Sequence, residues 1–217
     1  MRYRIPGGII IKTENAAKPE SQPCTYLKSL ITQLPQVSSS LDYGCGKLRY
    51  TNAILEKTDT LTLVDSEVQL SRIQTLKGIK TSIRDLVGPS NRITINNNID
   101  FPESNARFDR AFCINVLSVI PLYSKRKSVL EMIRSKLRKN GLCLFVVQYR
   151  NSDFSRMRQM QNARPWRDGF LIDSLRGFSF YGLISPEKLM AMVKTSGFNV
   201  DRVKLRDGTV YLWATRT

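Results

Sequence analysis

Leu41-Asp42-Tyr43-Gly44-Cys45-Gly46, followed after an amphipathic stretch by Leu61-Thr62-Leu63-Val64-Asp65, decides the fold of this chain. The first segment reads as a short strand that meets a Gly-x-Gly turn, and the second reads as a parallel strand that ends at Asp65. Because glycine has no Cβ, the backbone of such a turn can pass close to a ligand. The helix expected after it would point its N-terminal N–H groups into the same crevice. Asp65, 19 residues after Gly46, is placed to accept hydrogen bonds from ribose hydroxyls. The pattern predicts a nucleotide-cofactor site in an α/β fold.

The turn departs from the dinucleotide-binding fingerprint. That fingerprint has a third glycine three residues after the second, where this chain has Arg49. Asp42 also stands two residues before Gly44, and its carboxylate would repel a pyrophosphate. The same carboxylate suits a cationic ligand.

These segments resemble the first two motifs of class I S-adenosylmethionine-dependent methyltransferases. The resemblance implies that the glycine turn lies against the methionine part of the cofactor, and that Asp65 holds its ribose. It implies a Rossmann-like fold and S-adenosylmethionine as the cofactor. The residues that it assigns to cofactor binding in this part of the chain are Asp42, Tyr43, Gly44, Cys45, Gly46 and Asp65.

The later motifs follow in the order that this family has. Ile93–Ile95 reads as a short strand, and Asn97, Asn98 and Asp100 after it are all candidates to bond the adenine amino group. The sequence does not choose among these three residues. Phe108–Leu117 resembles the family's fourth motif, in which a polar residue at the far end of a buried strand faces the substrate.

In that fourth motif Asn115 is the polar residue, so we expect it to contact the cofactor and face the methyl acceptor. A helix is predicted over Arg126–Leu137, ending at Asn140-Gly141, since both residues tolerate a left-handed conformation. The apolar run Leu142–Val147 then predicts a central parallel strand.

The C-terminal part completes the predicted fold. Ser185 and Pro186 form a helix start, and Val200–Leu205 and Val210–Ala214 alternate as two strands of a hairpin. We therefore predict a single methyltransferase domain over residues 1–217, with a mostly parallel seven-stranded sheet, helices on both faces and a C-terminal antiparallel hairpin. Residues 1–24 form an N-terminal extension, and residues 149–185 form an insertion on the substrate side.

The net charge of +16 favours a polyanionic partner. Arginines and aromatic residues alternate in the insertion, and arginine grips phosphate and stacks on bases. We therefore expect a nucleic-acid acceptor, RNA slightly ahead of DNA. The substrate-binding residues predicted on this basis are Arg156, Arg158, Arg164, Trp166 and Arg167.

The residue composition limits the chemistry. The chain has no histidine, which removes the usual general base and imidazole metal sites, but methyl transfer from a sulfonium tolerates this absence. The four cysteines have no CxxC spacing, so we expect buried thiols in a reducing cytoplasm and no metal site. No apolar run reaches the length of a membrane helix.

The acceptor stays open at this stage. The motifs of the amino-methylating, cytosine-methylating and ribose-methylating nucleic-acid enzymes are not convincingly found. A small-molecule methyltransferase is one alternative, since Phe178-Ser179-Phe180-Tyr181 could line an apolar pocket. A non-catalytic nucleic-acid-binding subunit, with a protein partner, is the other.

Overall fold

A seven-stranded sheet organises the chain in a computed structural model that describes residues 1–19, 21–150 and 152–217. Glu20 and Asn151, which fall within the predicted extension and insertion, lie outside the described residues.

The described strands are β1 (Arg2–Arg4), β2 (Ile10–Lys12), β3 (Val37–Tyr43), β4 (Thr58–Asp65), β5 (Gln74–Leu76), β6 (Ile79–Thr81), β7 (Ile93–Asn97), β8 (Phe108–Ile114), β9 (Leu137–Gln148), β10 (Ala163–Trp166), β11 (Gly169–Ile172), β12 (Ser179–Gly182), β13 (Phe198–Arg206) and β14 (Thr209–Arg216). The α-helices are α1 (Thr25–Thr32), α2 (Thr51–Leu55), α3 (Glu67–Ser71), α4 (Ile83–Val87), α5 (Tyr123–Lys136), α6 (Ser152–Met157) and α7 (Pro186–Thr195). Short 3₁₀ helices cover Thr13–Ala16, Phe101–Glu103 and Leu117–Val119.

The main sheet has the order β13-β14-β9-β8-β3-β4-β7. Strands β7, β4, β3, β8 and β9 are parallel, and β14 pairs antiparallel with both β9 and β13. This confirms the predicted mostly parallel sheet with a C-terminal antiparallel hairpin. The chain builds outward from β3 to β7 and then returns to the other side of β3 with β8. Ligands of open α/β sheets bind at such a reversal, beyond the carboxyl ends of the strands.

Both faces of the sheet are buried. On one side of β3 the side chains of Leu41 and Tyr43 join a core that contains α5 and α7. On the other face, Leu61 and Leu63 of β4 pack with α1 and α2. The continuous apolar runs seen in the sequence therefore reflect strands covered by helices on each side.

Two helix boundaries differ from the predicted ones. Helix α5 ends at Lys136 and β9 begins at once, although Asn140 does have the expected positive φ of 62°. The predicted helix after the glycine turn begins only at Thr51 and has 5 residues. Leu48, with a φ of 62°, keeps the intervening residues in turns, so α2 does not start at the glycines.

The N-terminal segment and the insertion pack together over the carboxyl edge of the sheet. We use the term cap for the described residues of 1–18 and 149–185. Strands β10, β11 and β12 form an antiparallel sheet, and the N–H of Lys12 donates to the carbonyl of Phe178 at 2.8 Å. Ile5, Ile11 and Phe180 belong to one buried cluster that joins the two segments.

A buried ion pair ties the cap to the main domain. The guanidinium of Arg126 on α5, which is buried, bonds both carboxylate oxygens of Asp168 between β10 and β11. Its Nε also donates to the carbonyl of Ile120 at 2.8 Å. Across the residues that the structure describes, none of the helices has the length and apolarity needed to cross a membrane.

Candidate cofactor and acceptor pocket

The principal pocket lies at the carboxyl edge of the sheet, where the strand order reverses. Its walls come from the glycine turn, from Asp65 at the end of β4, from residues 114–120 after β8, and from the cap. The parallel strands bring the first three segments together, because their carboxyl ends meet at one edge.

The glycine turn closes tightly against the neighbouring strand. Gly44 has a φ of 83°, and its N–H donates to the Val64 carbonyl at 2.7 Å. A Cβ at Gly44 would stand 2.3 Å from Cγ2 of Val116. Glycine is therefore required here by both the backbone conformation and the close approach of Val116.

Asp65 connects the end of β4 to the glycine turn. Its Oδ2 accepts from the N–H of Gly46 at 2.9 Å, and its Oδ1 accepts from the N–H of Ser66 at 2.7 Å. Burial raises the pKa of Asp65, while the positive Met1 amino group and these N–H donors oppose that increase. The carboxylate is thus held in a defined orientation on the pocket wall.

Asp42 is a buried carboxylate on the pocket wall. Its exposed fraction is 4%, and no described residue donates a hydrogen bond to it. Burial, followed by the charge of Asp65, raises the pKa of Asp42 to about 7. A buried carboxylate left unpaired is costly, so a cationic group in the pocket would stabilise it.

Asn115 contributes a strained position to the opposite wall. Its φ is 59°, which is uncommon outside glycine, and its N–H donates to the Val146 carbonyl at 2.8 Å. The side-chain Oδ1 is buried and has no hydrogen-bond partner in the described part of the chain. Asn115 therefore offers an unused hydrogen-bond acceptor at the pocket, and its contact with cofactor and methyl acceptor stays a prediction.

The three adenine candidates lie outside the pocket walls. Asn97 Oδ1 accepts from the N–H groups of Ile99 and Asp100, and its Nδ2 donates to the Asp100 carboxylate at 2.6 Å. Asn97 therefore closes a turn. The N–H of Asn98 donates to the backbone carbonyl of Asp65 at 2.9 Å, which places Asn98 next to the end of β4.

The two remaining residues predicted in the turn point to different places. Tyr43 is buried in the core, with its ring 6.4 Å from that of Phe101, and does not line the pocket. Cys45 does line it, and burial raises the pKa of its thiol well above the ordinary value. Cys45 is therefore a protonated wall residue and no nucleophile.

The four arginines predicted to bind substrate lie on the outside of the cap, whereas Trp166 does not. Arg156, Arg158, Arg164 and Arg167 are exposed. Trp166 packs edge-on against Phe180 at 5.7 Å, inside the cap. None of the five predicted residues lines the principal pocket. The structure thus separates them from the pocket-lining residues that are predicted to bind the cofactor, and both roles stay predictions.

Other residues also line the pocket. Tyr181 of β12 was singled out in the sequence only as part of an aromatic run. No sequence motif surrounds Glu14 in the N-terminal extension, so the sequence did not indicate that it lies at a site. The remaining lining residues that sequence reasoning missed include Tyr50, Val119, Ile120, Gln148, Thr209 and Tyr211. The described residues hold no cluster of three or more metal-ligating side chains.

Comparison with known proteins agrees with this geometry. A family model described as a methyltransferase domain matches residues 16–203. An uncharacterized protein of Escherichia coli (strain K12), YmfD, is 31% identical over 208 residues, which are 94% of this chain and 92% of that protein.

Solved structures share the fold at low sequence identity. One is a 1,6-didemethyltoxoflavin-N1-methyltransferase from Burkholderia thailandensis, with that compound and S-adenosylhomocysteine bound. Its TM-score is 0.58 at 18% identity, covering 94% of this chain and 79% of that one. Another is the N-methyltransferase NodS from Bradyrhizobium japonicum WM9 with S-adenosylhomocysteine, with a TM-score of 0.57 at 12% identity, covering 88% and 86%.

Proposed function

The chain belongs to the methyltransferase domain family and is an S-adenosylmethionine-dependent methyltransferase; on that premise, we propose that its methyl acceptor is a small molecule bound under the cap. The observation that carries the proposal is the composition of the pocket beyond Asn115. There the walls include Ile120, Tyr181 and Tyr211.

The residues of the glycine turn fit the cofactor. Asp42, a buried carboxylate to which none of the described residues donates a hydrogen bond, would neutralise the positively charged methionine part. Asp65, already fixed by two N–H donors, would accept from the ribose hydroxyls. Asn115 Oδ1, which has no partner among the described residues, would bond the cofactor or the acceptor. When bound, S-adenosylmethionine supplies a methyl group on an activated sulfonium.

The acceptor half offers hydrogen bonds and apolar contact. The hydroxyl of Tyr181 donates to Gln148 Oε1 at 3.4 Å. Burial raises the pKa of Tyr50 and of Tyr211, so both phenols stay protonated near neutral pH. These residues can orient a flat, partly apolar molecule, but they do not supply a base.

A nitrogen nucleophile with a free lone pair suits this pocket best. Such an atom attacks a methyl group without prior loss of a proton, and the proton leaves afterwards to water. Positioning in line with the methyl group then provides most of the rate acceleration. Both solved structures described above methylate nitrogen according to their names, so this fold accommodates a nitrogen acceptor.

The test uses labelled S-adenosylmethionine with separate pools of cell metabolites, total RNA and genomic DNA. We expect label in the metabolite pool, and label found only in nucleic acid would overturn the proposal. Tyr181→Ala should raise the KM for the acceptor without changing S-adenosylhomocysteine affinity. Tyr123→Ala is the matched control, because Tyr123 is exposed on α5 and does not line the pocket.

A nucleic-acid acceptor is the second candidate, and the exposed arginines on the outer surface of the cap favour it. Together with a net charge of +16, they could hold a phosphate backbone while a single base enters the pocket. Under this alternative, affinity for RNA would fall steeply with salt. The small-molecule proposal instead expects turnover that is insensitive to added RNA.

A further inference from the structure

We propose that Glu14 is a cofactor-binding residue, whose carboxylate accepts a hydrogen bond from the ribose of S-adenosylmethionine beside Asp65. This inference depends on the cofactor and not on the identity of the acceptor. It assigns the N-terminal segment a direct part in cofactor binding, which the glycine turn and Asp65 alone do not reveal.

Glu14 is buried at the pocket with half of its carboxylate unused. The residue is 6% exposed and lines the pocket. Its Oε1 accepts from Nε of Arg2 at 3.1 Å. Its Oε2 is buried and has no hydrogen-bond partner among the residues that the structure describes. Because an unpaired buried acceptor is costly, a donor from a bound ligand would satisfy it.

The backbone of Glu14 is anchored near the ribose end of the site. Nη2 of Arg72 donates to the Glu14 carbonyl at 2.9 Å. Arg72 directly follows α3, and that helix begins two residues after Asp65. A helix of 5 residues spans only about 7.5 Å, so the anchor lies within reach of Asp65.

Other contacts hold the N-terminal segment in this place. Asn15 Nδ2 donates to the Arg176 carbonyl at 3.2 Å, and Nζ of Lys12 donates to the same carbonyl at 3.1 Å. Thr13 Oγ1 donates to the Met1 carbonyl at 2.7 Å. The 3₁₀ helix that carries Glu14 is therefore fixed to the insertion on one side and to Arg72 on the other.

The ligand chemistry follows from the neighbouring carboxylates. Asp42 lies at the glycine turn, where the methionine part is expected, and Asp65 lies at the ribose. Asp65 accepts one N–H on each oxygen and keeps acceptor capacity for the ribose. The ribose diol carries two hydroxyl protons, so a second carboxylate beside Asp65 can accept one of them. Glu14 Oε2 is such an acceptor on the adjoining wall.

The test is calorimetric titration of the full chain with S-adenosylhomocysteine, without any acceptor. We expect Glu14→Gln to weaken binding about tenfold or more, since hydrogen bonds to charged groups are among the stronger ones. Glu103→Gln is the matched control, because it removes an equal charge from an exposed site outside the pocket. Unchanged affinity in Glu14→Gln would overturn the proposal.

Ribose analogues supply the specific readout. The 2′-deoxy and 3′-deoxy forms of S-adenosylhomocysteine should each bind the wild type more weakly. Glu14→Gln should bind one of these two analogues with the same affinity as it binds S-adenosylhomocysteine, because the hydroxyl that Glu14 contacts is then missing in the analogue. If removal of either hydroxyl weakens binding by the same factor in the variant as in the wild type, Glu14 does not contact the ribose.

A measurement without substitution covers the case in which the variant does not fold. Hydrogen exchange of residues 13–17 in the wild type should slow when S-adenosylhomocysteine binds. Exchange that stays unchanged there, while residues 44–46 become protected, would contradict the proposal. Absence of all cofactor binding would instead challenge the cofactor residues themselves, so the two failures are distinguishable.

Discussion

The glycine turn and the cap line the same pocket, but they are built differently. The turn, Gly44–Gly46, is held by backbone hydrogen bonds to β4 and by the carboxylate of Asp65. The cap joins the N-terminal segment to the insertion through one apolar cluster, and the Arg126–Asp168 ion pair ties it to α5. The cofactor half is therefore a property of adjacent strands, whereas the acceptor half depends on long-range packing.

Gly44→Ala is expected to have the largest effect, because it disturbs the turn and its packing together. The left-handed conformation and the clash with Val116 should lower the free energy of unfolding by about 2–4 kcal/mol. Binding of S-adenosylhomocysteine should fall at least about tenfold. Chemical denaturation and calorimetry measure the two effects.

Gly78→Ala is the matched control for that variant. Gly78 also has a positive φ, of 82°, but an added Cβ there would meet nothing within 4 Å. Gly78→Ala should lower the free energy of unfolding by about 1 kcal/mol and leave the affinity for S-adenosylhomocysteine unchanged. Adding Val116→Ala to Gly44→Ala should recover part of the lost stability. Equal losses in the two glycine variants would show that Val116 does not matter.

Arg126→Met tests the cap in the same way. Removing the guanidinium leaves Asp168 partly buried without its partner, which should lower the free energy of unfolding by about 3 kcal/mol. The KM for the acceptor should rise much more than the Kd for S-adenosylhomocysteine. The double variant with Asp168→Leu should regain stability, since no charge is then left unpaired. A larger effect on the cofactor than on the acceptor would contradict the division into two halves.

The pKa of Asp42 predicts a pH dependence confined to the cofactor half. Burial raises this pKa to about 7 in the free protein, so below pH 7 the group is protonated and lacks the charge that attracts a cation. Affinity for S-adenosylhomocysteine should rise about tenfold from pH 6 to pH 8. Asp42→Asn should flatten this dependence, and a pH profile unchanged by the substitution would remove Asp42 from cofactor binding.

The raised pKa of Asp42 also predicts that the stability of the free protein falls as the pH rises, whereas its affinity for S-adenosylhomocysteine increases. A carboxyl group with a raised pKa in the folded state stabilises most below its unfolded pKa, near 4. That contribution is lost as pH rises through about 7. Thermal unfolding at pH 5 and pH 8, with Asp42→Asn as the reference, should show the wild type losing more stability at the higher pH.

Neutralising the outer arginines should have the smallest effect. Arg156→Gln, Arg158→Gln and Arg164→Gln together remove three exposed charges that lie outside the pocket. Under the small-molecule proposal, turnover should change less than about twofold, since surface substitutions of this kind cost little. A strong loss of RNA affinity accompanied by loss of turnover would favour the nucleic-acid alternative.

The sequence predicts those parts of the site that depend on residues close together in the chain. Glycine at position 44 and an acid at position 65 follow from backbone chemistry, and both appear in the pocket. The residue that contacts adenine could not be predicted in the same way. The sequence shows that Asn97 is polar, but not that its side chain forms the hydrogen bonds that close its own turn. Trp166 shows the same limit, since an aromatic ring among arginines can equally be packed inside a cap.

The sequence by itself determined the sheet, the family and the cofactor. Strand runs, the turn and the acid after the second strand act over short distances, and parallel strands necessarily align their carboxyl ends. Only the tertiary structure decided that Glu14 and Tyr181 share one pocket while the arginines lie outside it. Glu14 and Tyr181 are 167 residues apart in the sequence and come together through side-chain packing, which no local sequence pattern predicts.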